Sequence, residues 1–191
     1  MQVGCFAITT DARALWKANN VNTYRVLRSG GWIDHVPSIP GTPPTAQDAG
    51  RIYRRTGRII STDECGQMRF YQHRAIQFVR HHPVEKLKLA ALGTWMLWDP
   101  RTTETRGRPT PGGWLDFLRV YAEAAWMVAL YLLALAGFLF AGTRLRALFV
   151  VIALYQTGLA MLFVGETRYR IPWDFLLALL AAHTLVRARA R

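Results

Sequence analysis

The sequence contains few cysteines, and this shortage excludes two classes of protein. Cys5 and Cys65 are too few for a disulfide scaffold and lack the spacing of a metal site. The five histidines form no metal-binding motif, so we expect no structural metal and no cofactor. Two alternatives stand for the cysteines: a disulfide, if both lie outside the cytoplasm, or two unpaired small apolar residues.

Acidic residues are also scarce. The chain has 24 Lys and Arg against 12 Asp and Glu, a formal net charge of +12. Such a balance indicates an anionic partner, either nucleic acid or lipid headgroups. No RNA-recognition, zinc-finger or helix-turn-helix pattern is present, and long apolar runs share the chain. We therefore expect membrane lipids as partners and no nucleic acid.

The N-terminal half has no long uncharged run. Its first residues, MQVGCFAITTDAR, lack the basic start and sustained apolar core of a signal peptide. Up to Gly113, charged residues recur every few positions and Pro, Gly and Thr are frequent. This composition predicts a polar, loop-rich region over residues 1–117.

Long uncharged runs appear only in the C-terminal region. Residues 124–143 and 147–165 each approach the roughly 20 apolar residues that a helix needs to cross a bilayer. A third run, 171–186, reaches spanning length only if Ile171 to Asp174 enter the interface. The residues between the first two spans, Arg144 to Arg146, predict a tight turn and an antiparallel hairpin.

Basic residues predict the orientation of these spans. Arg144, Arg146 and the terminal RARAR lie on one side if there are three spans, and the positive-inside rule places that side in the cytoplasm. Residues 1–117 and the loop from Glu166 to Asp174 then face outward, as in a multi-pass plasma-membrane protein. Arg168 and Arg170 oppose the rule in that outer loop.

Shorter patterns predict helices within the polar region. A segment over Asp11 to Arg28 turns at Asn19-Asn20, and a helix starts at Thr45. Met68, Tyr71, Ala75 and Phe78 recur at helical spacing, which predicts an amphipathic helix between Asp63 and Arg80. Proline-rich residues 37–44 and residues 101–113 are expected to be loops.

The run VEKLKLAALGTWMLW, from Val84 to Trp98, predicts another helix. Its apolar part is too short to span a bilayer, while Lys86 and Lys88 at the start and Trp95 and Trp98 at the end suit a helix lying in the interface or entering it partially. The alternative is a buried helix of a small soluble core. The predicted fold class is therefore an all-α membrane protein, with an extracytoplasmic region over 1–117 that includes an interfacial helix, and about three transmembrane helices over 118–191.

Two flanking Arg residues and Tyr169 make the last outer loop the candidate site. Arg presents planar, paired donors to phosphate oxygens, so Arg168 first and Arg170 second are candidates to bind a lipid phosphate, beside Tyr169. The alternative is that Arg168 pairs with Glu166 while Arg170 contacts headgroups nonspecifically. Asp174 is expected to cap the last helix or to pair with an Arg.

The order of these motifs resembles a known family. His82, Pro83, Lys86, Lys88, Trp95 and Trp98 in an external helix, then a membrane hairpin, then Arg168, Tyr169 and Pro172, resemble the C-terminal part of bacterial GT-C membrane glycosyltransferases related to dolichyl-phosphate-mannose protein mannosyltransferases. The resemblance implies transfer of a sugar from a polyprenyl-phosphate carrier to an acceptor on the outer membrane face.

The resemblance is incomplete where catalysis is concerned. Members of this family carry a catalytic carboxylate in their first external loop, after a first transmembrane helix, and no acidic residue here matches that position. No catalytic residue is therefore assigned, and we expect a C-terminal fragment that is inactive alone. The alternative is a small noncatalytic membrane subunit or scaffold with an extracytoplasmic domain.

Overall fold

The computed structural model describes residues 9–37, 42, 46–101, 113–165 and 167–189. Within these ranges the regular elements are helical, which confirms the all-α prediction. Eight helices are α1 (Thr9–Ala18), α2 (Thr23–Arg28), α3 (Ala46–Thr56), α4 (Glu64–His81), α5 (Pro83–Trp98), α6 (Trp114–Phe140), α7 (Thr143–Leu162) and α8 (Asp174–Arg189). A single helical turn, Thr167–Arg170, and a 3-10 turn, Ile171–Trp173, precede α8. Most of the predicted loops, over 37–44 and 101–113, lie outside the described residues.

The chain divides into two compact units, Met1–Leu89 and Ala90–Arg191. Their boundary falls inside α5, whereas the sequence predicts a division between residues 117 and 118. The difference arises because the second half of α5 packs against the apolar helices of the second unit. Gly93 allows this packing, since a Cβ at that position would collide with the carbonyl oxygen of Ala160 in α7.

The first unit is organised around α1 and α4. The predicted apolar stripe of α4 is confirmed, because Tyr71, Ala75 and Phe78 are buried. The ring of Tyr71 lies 5.1 Å from that of Trp16 in α1. Asp63 begins α4, and its carboxylate accepts a hydrogen bond from the main-chain N–H of Gly66 at 2.7 Å.

Asparagines form the turn between α1 and α2, at the predicted position. The side chain of Asn20 donates to the carbonyls of Trp16 and Lys17 and accepts from the N–H of Asn22. The side chain of Asn19 donates to the carbonyl of Leu15 and accepts a hydrogen bond from Lys86. Burial lowers the pKa of Lys86.

Three helices of the second unit are long and apolar enough to cross a membrane: Tyr121–Phe140, Thr143–Leu162 and Ile171–Arg189. They correspond to the three predicted spans in number and approximate position. The helix α6 starts at Trp114, ten residues before the predicted span, because Asp116, Arg119 and Glu123 do not interrupt a helix. At 27 residues it is about 40 Å long, more than the ~30 Å hydrocarbon core requires.

The turn between α6 and α7 differs from its prediction. It consists of Ala141 and Gly142, and Arg144 and Arg146 lie in the first turn of α7. The reason is that Arg146 reaches back and donates to the carbonyl of Ala141 at 2.7 Å, which satisfies a main-chain acceptor at the end of α6.

The helices α6 and α8 pack closely and run parallel. A Cβ at Gly137 would overlap the carbonyl oxygen of Leu180, so the two backbones touch at this point. Thr184 donates to the carbonyl of Leu133 at 2.8 Å. His183, which the sequence predicts to be a hydrogen-bonded packing residue, lies 3.2 Å from the carbonyl oxygen of Phe140. The C-terminal ends of α6 and α8 therefore lie at the same end of this unit.

Replacing Gly137 with Leu should separate α6 from α8, because the new side chain has no space beside Leu180. Overpacking of this kind costs about 1–3 kcal/mol. The free energy of unfolding in mixed detergent micelles, followed by tryptophan fluorescence, measures the loss. Gly158→Leu is the matched control, since a Cβ at Gly158 meets no atom within 4 Å. Equal stability of the two variants would contradict the close α6–α8 packing.

Candidate functional site

Arg170 is buried in the second unit, although the sequence places it in an outer loop. Its residue is only 5% exposed. The Nε atom donates to the Asp174 carboxylate at 3.0 Å, which confirms the predicted pairing of Asp174 with an Arg. The guanidinium also lies 5.4 Å from the ring centre of Tyr131 and donates to the Tyr131 hydroxyl. These contacts compensate the charge where water is excluded.

The same guanidinium caps the end of α5. Its Nη1 atom donates to the carbonyl of Leu97 at 3.1 Å and to that of Asp99 at 3.4 Å. The Tyr131 hydroxyl donates to the intervening carbonyl of Trp98 at 3.2 Å. Three successive carbonyls that helix geometry leaves without partners are therefore satisfied by two side chains. A cation at this position also complements the negative end of the helix dipole.

The depth of this cap explains why it is needed. Tyr131 lies ten residues into the candidate span Tyr121–Phe140, about 15 Å along the helix from its start. Main-chain groups that end at such a depth find no water, and each unsatisfied group costs several kcal/mol in hydrocarbon.

Asp99 fixes the chain where it leaves α5. Its side chain is fully buried and accepts hydrogen bonds from the main-chain N–H and the guanidinium of Arg101, at 3.0 to 3.1 Å. The hydrogen bond with Asp99 raises the pKa of Arg101 above its usual value. The indole of Trp98 adds a second attachment, donating to the Thr157 hydroxyl of α7 at 3.1 Å.

The predicted phosphate-binding residues occupy different environments. Arg170 is enclosed by protein groups, and Tyr169 is 47% exposed beside it. The backbone of Arg168 lies in the turn Thr167–Arg170, but its side chain and the whole of Glu166 lie outside the described residues. Pro172 lies in the 3-10 turn, and α8 begins at Asp174.

The structure brings together parts of the two motifs that carry the family resemblance. Trp98 from the first motif and Arg170, which follows Arg168 and Tyr169 of the second, both contact Tyr131, and the rings of Trp98 and Tyr131 lie 6.3 Å apart. Lys88 and Trp95 are exposed and do not join this group. Sequence reasoning missed Tyr131 and Asp99. The signal for Tyr131 was a hydroxyl group inside an uncharged run, and the signal for Asp99 was the Asp-Pro pair at the end of α5.

A small cavity lies beside Arg170. Its volume is about 20 Å³, and Gln156, Trp173 and Asp174 contribute to its wall. This space is large enough for one water molecule and too small for a sugar.

Comparisons with protein families, with curated proteins and with solved structures find no match to this chain.

Removing the guanidinium of Arg170 should destabilise the second unit strongly. Arg170→Ala leaves the Asp174 carboxylate and the end of α5 without their donor, and breaking a buried ion pair costs about 3–5 kcal/mol. Arg170→Lys should recover only part of this loss. Lysine restores the positive charge, but its ammonium cannot donate to both Asp174 and the α5 carbonyls as the planar guanidinium does. Unfolding in mixed micelles measures both variants.

Two further variants locate the effect. Tyr131→Phe removes only the hydroxyl cap and should cost about 1–3 kcal/mol. Arg189→Ala, at the exposed end of α8, should change stability little. If Arg170→Ala were as stable as Arg189→Ala, the capping role of Arg170 would be wrong.

Proposed function

We propose that this chain is the C-terminal, carrier-positioning part of a membrane glycosyltransferase that uses a polyprenyl-phosphate-linked sugar, and that it does not catalyse transfer alone. The observation that carries the proposal is the cap on α5. Through Arg170 it fixes the turn Thr167–Arg170 against a helix end inside the spanning unit. A loop attached in this way presents its neighbouring residues in a defined position.

We assign different roles to the two arginines of the loop. Arg170 is a positioning residue, because its donors meet Asp174, Tyr131 and two carbonyls. Phosphate binding is then the role of Arg168, with the half-exposed Tyr169 beside it. This division also gives a reason for an Arg at position 170 where the positive-inside rule disfavours one.

In this proposal the acidic groups near the cap have a structural role. Asp99 is paired with Arg101, and Asp174 is paired with Arg170. Both carboxylates are therefore engaged in ion pairs within the second unit. The remainder of the enzyme would have to supply the catalytic carboxylate.

A noncatalytic membrane subunit is the second candidate, and the exposure of the spans is compatible with it. In the most apolar windows of the three spans only 11%, 6% and 22% of residues are buried. Lipid or the helices of a partner must cover the rest. A separate subunit and a piece of a larger enzyme both satisfy this requirement.

We further propose the orientation in which residues 1–117 face away from the cytoplasm, in the plasma membrane. Arg144 and Arg146 at the start of α7 and Arg187 at the end of α8 lie at one end of the second unit, since the Arg187 guanidinium lies 4.6 Å from the ring centre of Phe140. The positive-inside rule places that end in the cytoplasm. Cys65 is disulfide-bonded, which suits an oxidising compartment, while Cys5 lies outside the described residues.

Thiol labelling in intact cells tests the orientation. A cysteine at Gly142, in the α6–α7 turn, should be protected from a membrane-impermeant maleimide, while one at the exposed Ser61 should react. Both sites tolerate the change, because Gly142 has no atom within 4 Å of an added Cβ. Permeabilised cells provide the control in which both sites react. The reverse pattern would contradict the orientation and the outward position of the loop.

Carrier binding tests the functional proposal. The purified chain in nanodiscs should retain a polyprenyl phosphate in preference to the matching polyprenol, as measured by native mass spectrometry. Charge-assisted hydrogen bonds to a phosphate contribute about 1.5–3 kcal/mol. Arg168→Ala should therefore weaken retention by roughly tenfold or more, with Arg168→Lys intermediate because it keeps the charge without the planar fork.

Arg189→Ala serves as the control for a general loss of positive charge. All variants should keep the unfolding midpoint of the parent chain, which separates binding from folding. Equal retention of polyprenyl phosphate and polyprenol by the parent chain would contradict the carrier-positioning function and favour the noncatalytic subunit.

A further inference from the structure

The helix α3 differs from the other helices of the first unit in its exposure. Every residue from Arg51 to Ile59 is exposed. These side chains therefore bury no large surface within the described part of the unit. A helix of 11 residues is marginal in water without tertiary packing. Its stability calls for another surface.

The two faces of α3 differ in chemistry. At 100° per residue, Ala49, Ile52, Tyr53 and Thr56 fall within an arc of about 100°. Arg51, Arg54 and Arg55 lie on the opposite side. Ile52 is 36% and Tyr53 57% exposed, so the apolar face is open.

The chain continues the same chemistry after the helix ends. Gly57 adopts a left-handed conformation, with φ of 68°, and its N–H bonds to the carbonyl of Tyr53. Arg58 and Ile59 follow, and Ile59 is 86% exposed. Residues 48–59 contain four arginines and one acidic residue, Asp48. Asp48 pairs with Arg51 at 3.2 Å.

We propose that α3, with Arg58 and Ile59, binds the surface of an anionic bilayer. The apolar face enters the boundary between headgroups and acyl chains, and the arginines contact the lipid phosphates. Two observations select lipid as the occupant. A short basic helix with an open apolar face complements an anionic interface in both charge and polarity. The chain also carries three candidate spans, so α3 is always close to a bilayer and binds it at high effective concentration.

The whole chain reconstituted in nanodiscs provides the test. An environment-sensitive fluorophore is attached to Tyr53→Cys, with a second sample labelled at His73→Cys on the exposed side of α4. The nanodiscs contain phosphatidylcholine alone or phosphatidylcholine with phosphatidylglycerol. We expect blue-shifted emission and quenching by bromine-labelled lipid at position 53 only, stronger in anionic discs and weaker at high salt.

A triple substitution tests the arginines. Arg51→Gln with Arg54→Gln and Arg55→Gln should weaken surface binding of α3 in anionic discs by on the order of 100-fold. The matched control replaces the exposed Arg25, Arg69 and Arg80 with Gln, removes the same charge and should leave the position-53 signal unchanged. Circular dichroism verifies that both variants keep their helices.

Three results would overturn the proposal. One is identical emission from position 53 in neutral and anionic discs without quenching by brominated lipid. Another is an equal loss of signal in both triple variants. The third is a blue shift that appears only when a soluble protein is added, which would make α3 a protein-binding helix.

Discussion

The termination of α5 inside the spanning unit is the constraint on which the arrangement of that unit depends. A helix that stops at Trp98 leaves carbonyls without partners, and hydrocarbon offers none. Arg170 and Tyr131 satisfy three of these carbonyls, and Asp174 balances the charge of Arg170. One buried cation therefore connects α5, α6 and the start of α8, and the short loop before α8 is held as a consequence.

This cap changes the interpretation of a basic residue in the loop before α8. An arginine near a membrane is expected to bind a charged ligand or a lipid headgroup. Arg170 instead binds polar groups of the protein itself. The carrier proposal consequently depends on Arg168 and Tyr169. Close backbone contacts hold the helices around the cap together. Gly93 and Gly137 have no side chain, so α5 and α6 approach their neighbouring helices closely.

Much of the fold could be predicted from local sequence. Uncharged runs located the three spans, and the spacing of Tyr71, Ala75 and Phe78 located the buried face of α4. The position of the α6–α7 turn was predicted wrongly, because two local sequence signals for the turn compete. Arg144 and Arg146 predicted a loop, yet Gly142 and Ala141 form it because Arg146 caps the preceding helix. Of the candidate site, the pairing of Asp174 was predictable from its four-residue separation from Arg170.

Composition and periodicity by themselves determined that this protein is helical and basic, with three runs long and apolar enough to cross a membrane. The reason is that the length of an apolar run and the 3.6-residue repeat are properties of neighbouring residues. Tertiary structure alone decided that Arg170 is buried. Its acceptors lie 39 and 73 residues away along the chain, in Tyr131 and Leu97. No local pattern encodes such a meeting. It follows from how an interrupted helix must satisfy its last carbonyls where water is absent.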